Sequence, residues 1–393
     1  MNTLKQEKLP LEFMLDTVVL KLKHPNFAVL DGHKFNPTFT ASKEPHPAMN
    51  AYLGKYTQNP SKQEVQYYPR LTIYEYAENQ QRTHYLHIEL SLPKLLFGDN
   101  IQELDAKSFD TLAGLLSTRL RHMDVLVLKE ILKSAIVVKA HFGKNIELPY
   151  PKTAHEAIAE LYRADMGKRK EKTIKEYKNS GKILHFYSTS EGIAFYDKVA
   201  DIEASKNRAF DKDKTKQEKL LLEELQQGQP REILRFEVRF SMNQTLKSQI
   251  SKVLGKKIDK ITFEKIFDEK LWKDILIAKW KEISDRPVNQ LALKLETRPE
   301  EILKALIKQT GSGPHSFNQV IQGFGLYTIT KQCDSAFIRK EVENNWNKKQ
   351  YKRLLEKMGR VSSALKDISQ SMIAQHIEKT LEEFKQYDLK IPG

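Results

Sequence analysis

The sequence predicts an α+β protein with a central antiparallel sheet flanked by helices, followed by a mainly α-helical C-terminal region. Alternating apolar and polar residues, typical of strands, recur as far as Phe240. Short polar connectors join two pairs of these strands, which favours antiparallel hairpins. After about Met242 the strand patterns fade and helical periodicity dominates.

The individual elements follow from local patterns taken in chain order. Strands are expected at residues 11–22, 70–76, 83–92, 136–142, 182–188, 192–199 and 233–240. Helices are expected at 109–120, 155–165, 201–229, 261–267, 271–281 and 346–358. Residues 34–66 are expected to form long loops, because Pro, Gly, Asn and Ser are scattered through them. The basic stretch 168–178 is expected to be an exposed helix or loop.

The change of pattern predicts a domain boundary near residue 243. Residues 1–243 would form a domain built on the antiparallel sheet, and residues 244–393 a helical domain that binds DNA or a partner. Within the helical part, residues 288–307 fit either a helix-turn-helix or ordinary helix packing.

The charge balance favours a polyanionic partner. Lys and Arg number 65 against 51 acidic residues, a formal net charge of +14, and binding to phosphates releases counterions. A well-solvated surface is the alternative explanation. The single cysteine, Cys333, excludes an intrachain disulfide and a cysteine-rich zinc site. With no signal-peptide pattern and no long apolar run, the protein is expected to be soluble and cytoplasmic, without a membrane partner.

Three predicted strands carry residue types suited to catalysis. In the strand at 83–92, His87 and Glu89 share one face, where they could bind a divalent cation or line a polar surface. In the strand at 192–199, Tyr196 and Lys198 share a face, and a lysine can stabilise a phenolate or a charged phosphate. The alternative there is an ordinary edge tyrosine beside a solvated lysine.

A third strand, at 233–240, alternates strictly between apolar and charged residues. Arg235, Glu237 and Arg239 share its polar face, either as an ion-pair ladder or as guanidinium groups beside a phosphate. His141 ends the strand at 136–142, where it is either a metal ligand or a solvent-facing residue.

In order and spacing, these segments resemble the replication initiators of filamentous phages and related plasmids, the gene II/X replication protein family. The resembling stretches are 68–72, 87–100, 141–145, 195–199 and 234–239. The resemblance is clearest in Pro-Lys-Leu-Leu-Phe-Gly at 93–98, Tyr-x-Lys at 196–198 and Arg-Phe-Glu at 235–237. It covers roughly residues 65–240.

The resemblance implies a nicking enzyme related to the histidine-hydrophobic-histidine (HUH) endonucleases, which have a ferredoxin- or RRM-like core. Tyr196 would be the nucleophile, assisted by Lys198, and would form a 5′-phosphotyrosyl intermediate in rolling-circle replication. His87 and Glu89 would bind Mg²⁺ or Mn²⁺, with glutamate in place of the second histidine and with His141 or Glu75 as the third ligand. The DNA contacts would be made by Arg235, Arg239 and Lys94.

The implied partners are origin DNA, single-stranded or in a hairpin at the nick site, and a host helicase and polymerase. Tyr177 and Tyr187 are candidates for a second nucleophile. One rival is a non-enzymatic origin-binding protein that uses helix-turn-helix contacts, which leaves the order of the motifs unexplained. Another is a conjugative relaxase, which the absence of a long helicase-like extension disfavours.

Overall fold

The computed structural model describes residues 15–41, 51–59, 66–79, 81–168, 170–176, 182–203, 231–294, 298–368 and 371–384. Within these residues a ten-stranded sheet, antiparallel at every pairing, carries helices on one face and is followed by further helices. The predicted fold class is confirmed. None of the described helices combines the length and the apolar composition that a membrane span needs.

The large sheet has the strand order β3-β4-β5-β6-β1-β8-β12-β11-β10-β9, and β2 pairs with β7 in a separate small sheet. The strands are β1 (Leu15–Lys23), β2 (Ala28–Val29), β3 (Asn36–Thr40), β4 (Ala51–Gln58), β5 (Arg70–Glu78), β6 (Gln81–Ser91), β7 (Val125–Leu126), β8 (Ile136–Glu147), β9 (Glu171–Glu176), β10 (Lys182–Tyr187), β11 (Glu191–Asp197) and β12 (Ile233–Phe240). Both predicted hairpins, β5-β6 and β10-β11, are present.

The helices cover the sheet or follow it. They are α1 (Leu92–Phe97), α2 (Phe109–His122), α3 (Lys129–Ser134), α4 (Ala154–Leu161), α5 (Lys198–Glu203), α6 (Asn243–Leu254), α7 (Phe263–Ile266), α8 (Glu269–Ser284), α9 (Pro287–Ala292), α10 (Pro299–Thr310), α11 (Ser316–Gln332), α12 (Ser335–Asn345), α13 (Lys348–Ala364) and α14 (Met372–Glu383). Of the predicted helix at 201–229, residues 204–229 lie outside the described part of the chain.

The main core lies between one face of the sheet and these helices. Alternation along each strand sends apolar side chains to this face, as with Phe236 on β12 and Phe195 opposite it on β11. Their rings stack with centroids 4.9 Å apart, and Trp280 from α8 packs edge-on against Phe195 at 6.3 Å. The opposite face, called the polar face here, carries charged and aromatic side chains together with a small buried cluster of Ile183, Ala194 and Tyr196.

A second core is formed by α9 to α13, around residues from Val288 to Leu365. Helices α6 to α8 and α14 instead contribute to the core under the sheet. The chain therefore enters the second core between Ser284 and Val288 and returns to the first core at α14, and the domain boundary near residue 243 stays a prediction. Leu291, Ile302 and Leu306 are buried in the second core, which ordinary helix packing explains.

Two predictions about loops are wrong. Residues 34–66, expected to be loops, contain β3 and β4, and the basic stretch expected to be a helix or loop contains β9. All three strands lie at the ends of the sheet, where pairing with a neighbour supplies the backbone hydrogen bonds. Such pairing overrides the local composition, so β3 accommodates Pro37 and β4 accommodates Gly54.

Replacing Phe236 with alanine is expected to lower the free energy of unfolding by about 3–5 kcal/mol, because it leaves a cavity against Phe195. Urea denaturation would measure the loss. The same change at Phe337, whose side chain is 56% exposed, is the matched control and should stay within about 0.5 kcal/mol of the wild type. Equal losses for the two variants would contradict the placement of Phe236 in the core.

Candidate active site on the polar face of the sheet

The polar face gathers most of the predicted site residues, because residues directly opposite in an antiparallel ladder share a face. Tyr196 on β11 lies opposite Arg235 on β12, and Arg239 on the same strand lies opposite His141 on β8. Glu237, between the two arginines, points to the same face. The strict alternation of β12 therefore sets three charged residues beside the tyrosine.

Glu237 is the centre of this cluster. Its Oε2 accepts a hydrogen bond from the Tyr196 hydroxyl at 3.0 Å and one from Arg239 Nη2 at 3.0 Å. Its Oε1 accepts a hydrogen bond from Arg239 Nε at 2.9 Å and lies 3.3 Å from His141 Nδ1. We call Tyr196, Glu237, His141 and Arg239 the tyrosine cluster. Sequence reasoning identified each member except Glu237 as a site residue; the Arg-Phe-Glu motif was the available signal for Glu237.

Burial and charge set the ionisation of this cluster. Burial raises the pKa of the Tyr196 phenol well above its ordinary value, and the charge of Glu237 adds to the effect. Burial alone would raise the pKa of Glu237, but Arg239 and His141 hold it well below its ordinary range. The resting state is therefore a neutral phenol donating to an ionised carboxylate.

Arg235, predicted to contact DNA, is fully buried in this structure. Its guanidinium donates to Asp16 Oδ2 at 2.9 Å and to Asn145 Oδ1 at 3.0 Å. Gly143 leaves the room for it, since a Cβ there would lie 2.4 Å from Arg235 Nη2. Asp16 comes from a bulge in β1, which local patterns do not reveal. The buried ion pair of Arg235 with Asp16 lies directly beside the tyrosine cluster, because Arg235 is opposite Tyr196 in the ladder.

Two lysines that were predicted to be site residues, Lys94 and Lys198, are also buried. Lys94 on α1 is almost completely inaccessible, so it cannot contact DNA in this structure. Lys198 does not continue the strand, because β11 ends at Asp197 and Lys198 begins α5. Strand alternation therefore does not govern the direction of the Lys198 side chain, and the prediction that it does is wrong. Its Nζ nevertheless lies 5.9 Å from the centroid of the Tyr196 ring.

The predicted metal strand lies elsewhere on the same face. His87 and Glu89 sit on β6, and three strands, β1, β8 and β12, separate β6 from the β11 strand of Tyr196. At about 4.8 Å per strand the lateral separation is roughly 19 Å. The prediction that these residues meet in one pocket is wrong, because the chain order of the strands differs from their order in the sheet.

The predicted third ligand does not complete a metal site with His87 and Glu89. His141 is two strands away from β6, and Glu75, opposite His84 on β6, points to the other face of the sheet from His87. In the described parts of the chain no group of three His, Cys, Asp or Glu side chains is placed to hold a metal ion. Of the candidate second nucleophiles, Tyr187 lies on the polar face and bonds to Glu171 at 2.8 Å, whereas Tyr177 lies outside the described residues.

His87 lies in a positively charged environment. Burial and three nearby ammonium groups lower the pKa of His87 to about 4. The ammonium groups are those of Lys21, Lys139 and Lys55. The imidazole is therefore neutral at physiological pH, which suits a metal ligand, but the lysine charges disfavour a cation.

The model of a protein family described as the N-terminal part of a phage replication-associated protein matches residues 14–258. This is more than half of the 393 residues, and the chain belongs to this family, as its motifs predicted. No curated protein matches the chain. Among solved structures, a rolling circle replication initiator protein from Geobacillus stearothermophilus aligns over 69% of this chain and 85% of that chain, with 10% identity and a TM-score of 0.32. At this TM-score the alignment adds nothing to the family match.

Protonation of His87 is expected to destabilise the protein, because the unfolded chain binds this proton with an ordinary pKa of 6.5 and the folded chain with one of about 4. The contribution of His87 to stability is complete above pH 6.5 and is lost as the pH falls towards 4. Urea denaturation of His87→Gln, with EDTA present, should show a shallower loss of stability in that window than the wild type. Parallel curves would contradict the assignment.

Proposed function

We propose that this protein initiates rolling-circle replication by nicking one strand of origin DNA with Tyr196. The observation that carries the proposal is the hydrogen bond, 3.0 Å long, that the Tyr196 hydroxyl donates to Glu237. A phenol is a poor nucleophile at neutral pH, and a carboxylate within hydrogen-bond distance can accept its proton during attack. The family match supports a role in replication.

The reaction is a transesterification. The Tyr196 oxygen forms a bond to the scissile phosphorus, the phenolic proton passes to Glu237, and the bond from phosphorus to the 3′ oxygen breaks. The 3′ oxygen takes a proton from solvent, and the 5′ phosphate remains joined to Tyr196. Rejoining is the reverse: a 3′-hydroxyl gives its proton to solvent and its oxygen bonds to the phosphorus, the bond from phosphorus to the Tyr196 oxygen breaks, and that oxygen regains the proton held by Glu237.

Arg239 is the group best placed to receive the phosphate. Tyr196 is only 5% exposed, whereas the Arg239 side chain is 32% exposed and lies on the solvent side of Glu237. A phosphate that recruits this guanidinium would loosen its hold on Glu237. The pKa of Glu237 would then rise, which makes the carboxylate a better base when substrate is bound. Substrate binding must also open a path to the phenol.

The residues present do not fit the predicted metal site, because His87 and Glu89 on β6 do not come together with His141 on β8. The steps above therefore use side chains alone. Mg²⁺ or Mn²⁺ remains an expectation from the family resemblance, and comparing nicking with EDTA, with Mg²⁺ and with Mn²⁺ tests it.

Origin DNA is the proposed partner, presented as a single strand or hairpin at the nick. The free 3′-hydroxyl would prime a host polymerase. Unwinding would fall to a host helicase, because the sequence contains no Gly-x-x-x-x-Gly-Lys phosphate-binding loop.

A second candidate function is origin binding without nicking. The burial of Tyr196 favours it, as does the exposed basic start of α13 at Lys349, Lys352 and Arg353. The two functions differ in one product, the covalent protein–DNA adduct.

Tyr196→Phe is expected to abolish the covalent adduct, because it removes the attacking oxygen and keeps the ring. Incubation with supercoiled origin DNA and Mn²⁺, followed by denaturing electrophoresis, would detect the adduct. Tyr187→Phe is the matched control, since Tyr187 also donates to a glutamate on the polar face, and it should form the adduct normally. Stable binding without an adduct in the wild-type protein would favour the second candidate function.

Glu237→Gln is expected to slow adduct formation by about 10²- to 10⁴-fold, because the phenolic proton loses its acceptor. The remaining rate should keep rising with pH, since the phenol must then ionise with a raised pKa. Rates from pH 6 to 10 would measure this, with the exposed Glu171→Gln as the matched control. A wild-type rate for Glu237→Gln would show that Glu237 does not take the proton.

A further inference from the structure

A continuous group of rings covers the polar face at the other end of the sheet. Its members, on β3, β4, β5 and β6, form what we call the aromatic platform: Phe39, Tyr52, Tyr74, Tyr76, Tyr85 and His87. Phe39 stacks on Tyr52 at 4.9 Å with an interplanar angle of 6°. From Tyr52 the contacts continue to both Tyr74, at 6.2 Å, and Tyr76, at 5.4 Å.

The contacts extend across one further strand pair, β5 and β6. Tyr74 meets the His87 ring at 4.5 Å, and Tyr76 meets Tyr85 edge-on at 5.7 Å. These rings are not part of the main core, which lies on the opposite face and contains the alternate residues of β6, such as Leu86 and Ile88. The platform rings are partly accessible, and Phe39 is 46% exposed. Ring faces of this kind are available to a ligand.

Lysines are set among the rings. Lys21 Nζ lies 3.8 Å from the centroid of Tyr85, with Lys23 Nζ at 5.6 Å from the same ring. Lys55 Nζ lies 5.9 Å from the centroid of Tyr74. The platform thus combines stacking surfaces with ammonium groups a few Å away, the two features that single-stranded nucleic acids require.

We propose that the aromatic platform binds the single-stranded DNA that flanks the nick site, with bases stacked on its rings and phosphates neutralised by its lysines. The inference rests on the proposed function, because it places the strand that Tyr196 would cut. A single strand is the occupant that fits, since its bases present free faces, whereas a duplex hides them in its own stack. The lysines provide the charge complementarity.

The platform and the tyrosine cluster lie on the same face of one sheet. His87 on β6 lies opposite Lys21 on β1, and further along β1 Thr17 lies opposite His141 of the tyrosine cluster. The exposed Lys139 lies on β8 between the two regions. A strand bound on the platform can therefore reach Arg239 by crossing β1 and β8, without passing around an edge of the sheet.

The test measures equilibrium binding of a labelled oligothymidylate of about 15 nucleotides by fluorescence anisotropy. All variants carry Tyr196→Phe, so that no covalent chemistry contributes. Tyr74→Ala is expected to weaken binding roughly 5- to 150-fold, and Tyr74→Phe should restore it, because stacking needs the ring and not the hydroxyl. Tyr150→Ala, at a highly exposed tyrosine off the strands, is the matched control and should bind normally.

A second variant tests the lysines without removing a ring. Lys55→Gln should reduce the slope of log affinity against log salt by about 0.7, the change expected for one phosphate contact on a single strand. Lys257→Gln, at a lysine whose side chain is 90% exposed, is its control and should keep the wild-type slope.

Wild-type affinity for Tyr74→Ala, or an equal loss of single-strand and duplex affinity in it, would overturn the proposal. The result is independent of the nicking assay. If the wild-type protein forms the adduct and Tyr74→Ala binds the oligothymidylate with unchanged affinity, the platform is rejected and the nicking function remains. Loss of single-strand affinity in Tyr74→Ala, when the wild type forms no adduct, would support the platform and reject the nicking function.

Discussion

The buried carboxylate of Glu237 determines which side chains can surround it in the tyrosine cluster. An ionised carboxylate removed from water is strongly destabilising unless partners compensate it, and the compensation here comes from Arg239, His141 and the Tyr196 hydroxyl. Each partner must therefore come from a strand next to β12 or from β12 itself, and must point to the same face. The tyrosine is held at one atom of one carboxylate, which fixes the direction of its hydroxyl.

The division of the sheet into an apolar and a polar face has a functional consequence. Helices cover the apolar face, so the tyrosine cluster, His87 and Glu89 all fall on the other one. That face is broad, because the sheet has ten strands and is open. It is suited to an extended ligand that contacts separate groups along its length, and less suited to a compact pocket built around one ion.

The direction of side chains along each strand could be predicted from the sequence, whereas the lateral order of the strands could not. Alternation correctly assigned Arg235, Glu237 and Arg239 to one face, because side-chain direction along a strand is a local property. It could not show that β1 lies between β6 and β8, or that β12 lies between β8 and β11, since lateral order depends on contacts distant in sequence. The separation of His87 from Tyr196 follows from that order. The burial of Lys94 could not be predicted from the sequence either, because it results from tertiary packing.

The surroundings of His87 bear on what the His-x-Glu pattern can do. A divalent cation at His87 and Glu89 would meet the charges of Lys21, Lys55 and Lys139, which already depress the pKa of the imidazole. DNA phosphates bound to those lysines would neutralise them and add oxygen ligands of the kind that Mg²⁺ prefers. Binding of a cation there and binding of a single strand would then strengthen each other by the same factor, as linkage requires. If His87 and Glu89 bind a divalent cation, its affinity should therefore be higher in the DNA-bound protein than in the free chain, because bound phosphates neutralise the lysines that disfavour it.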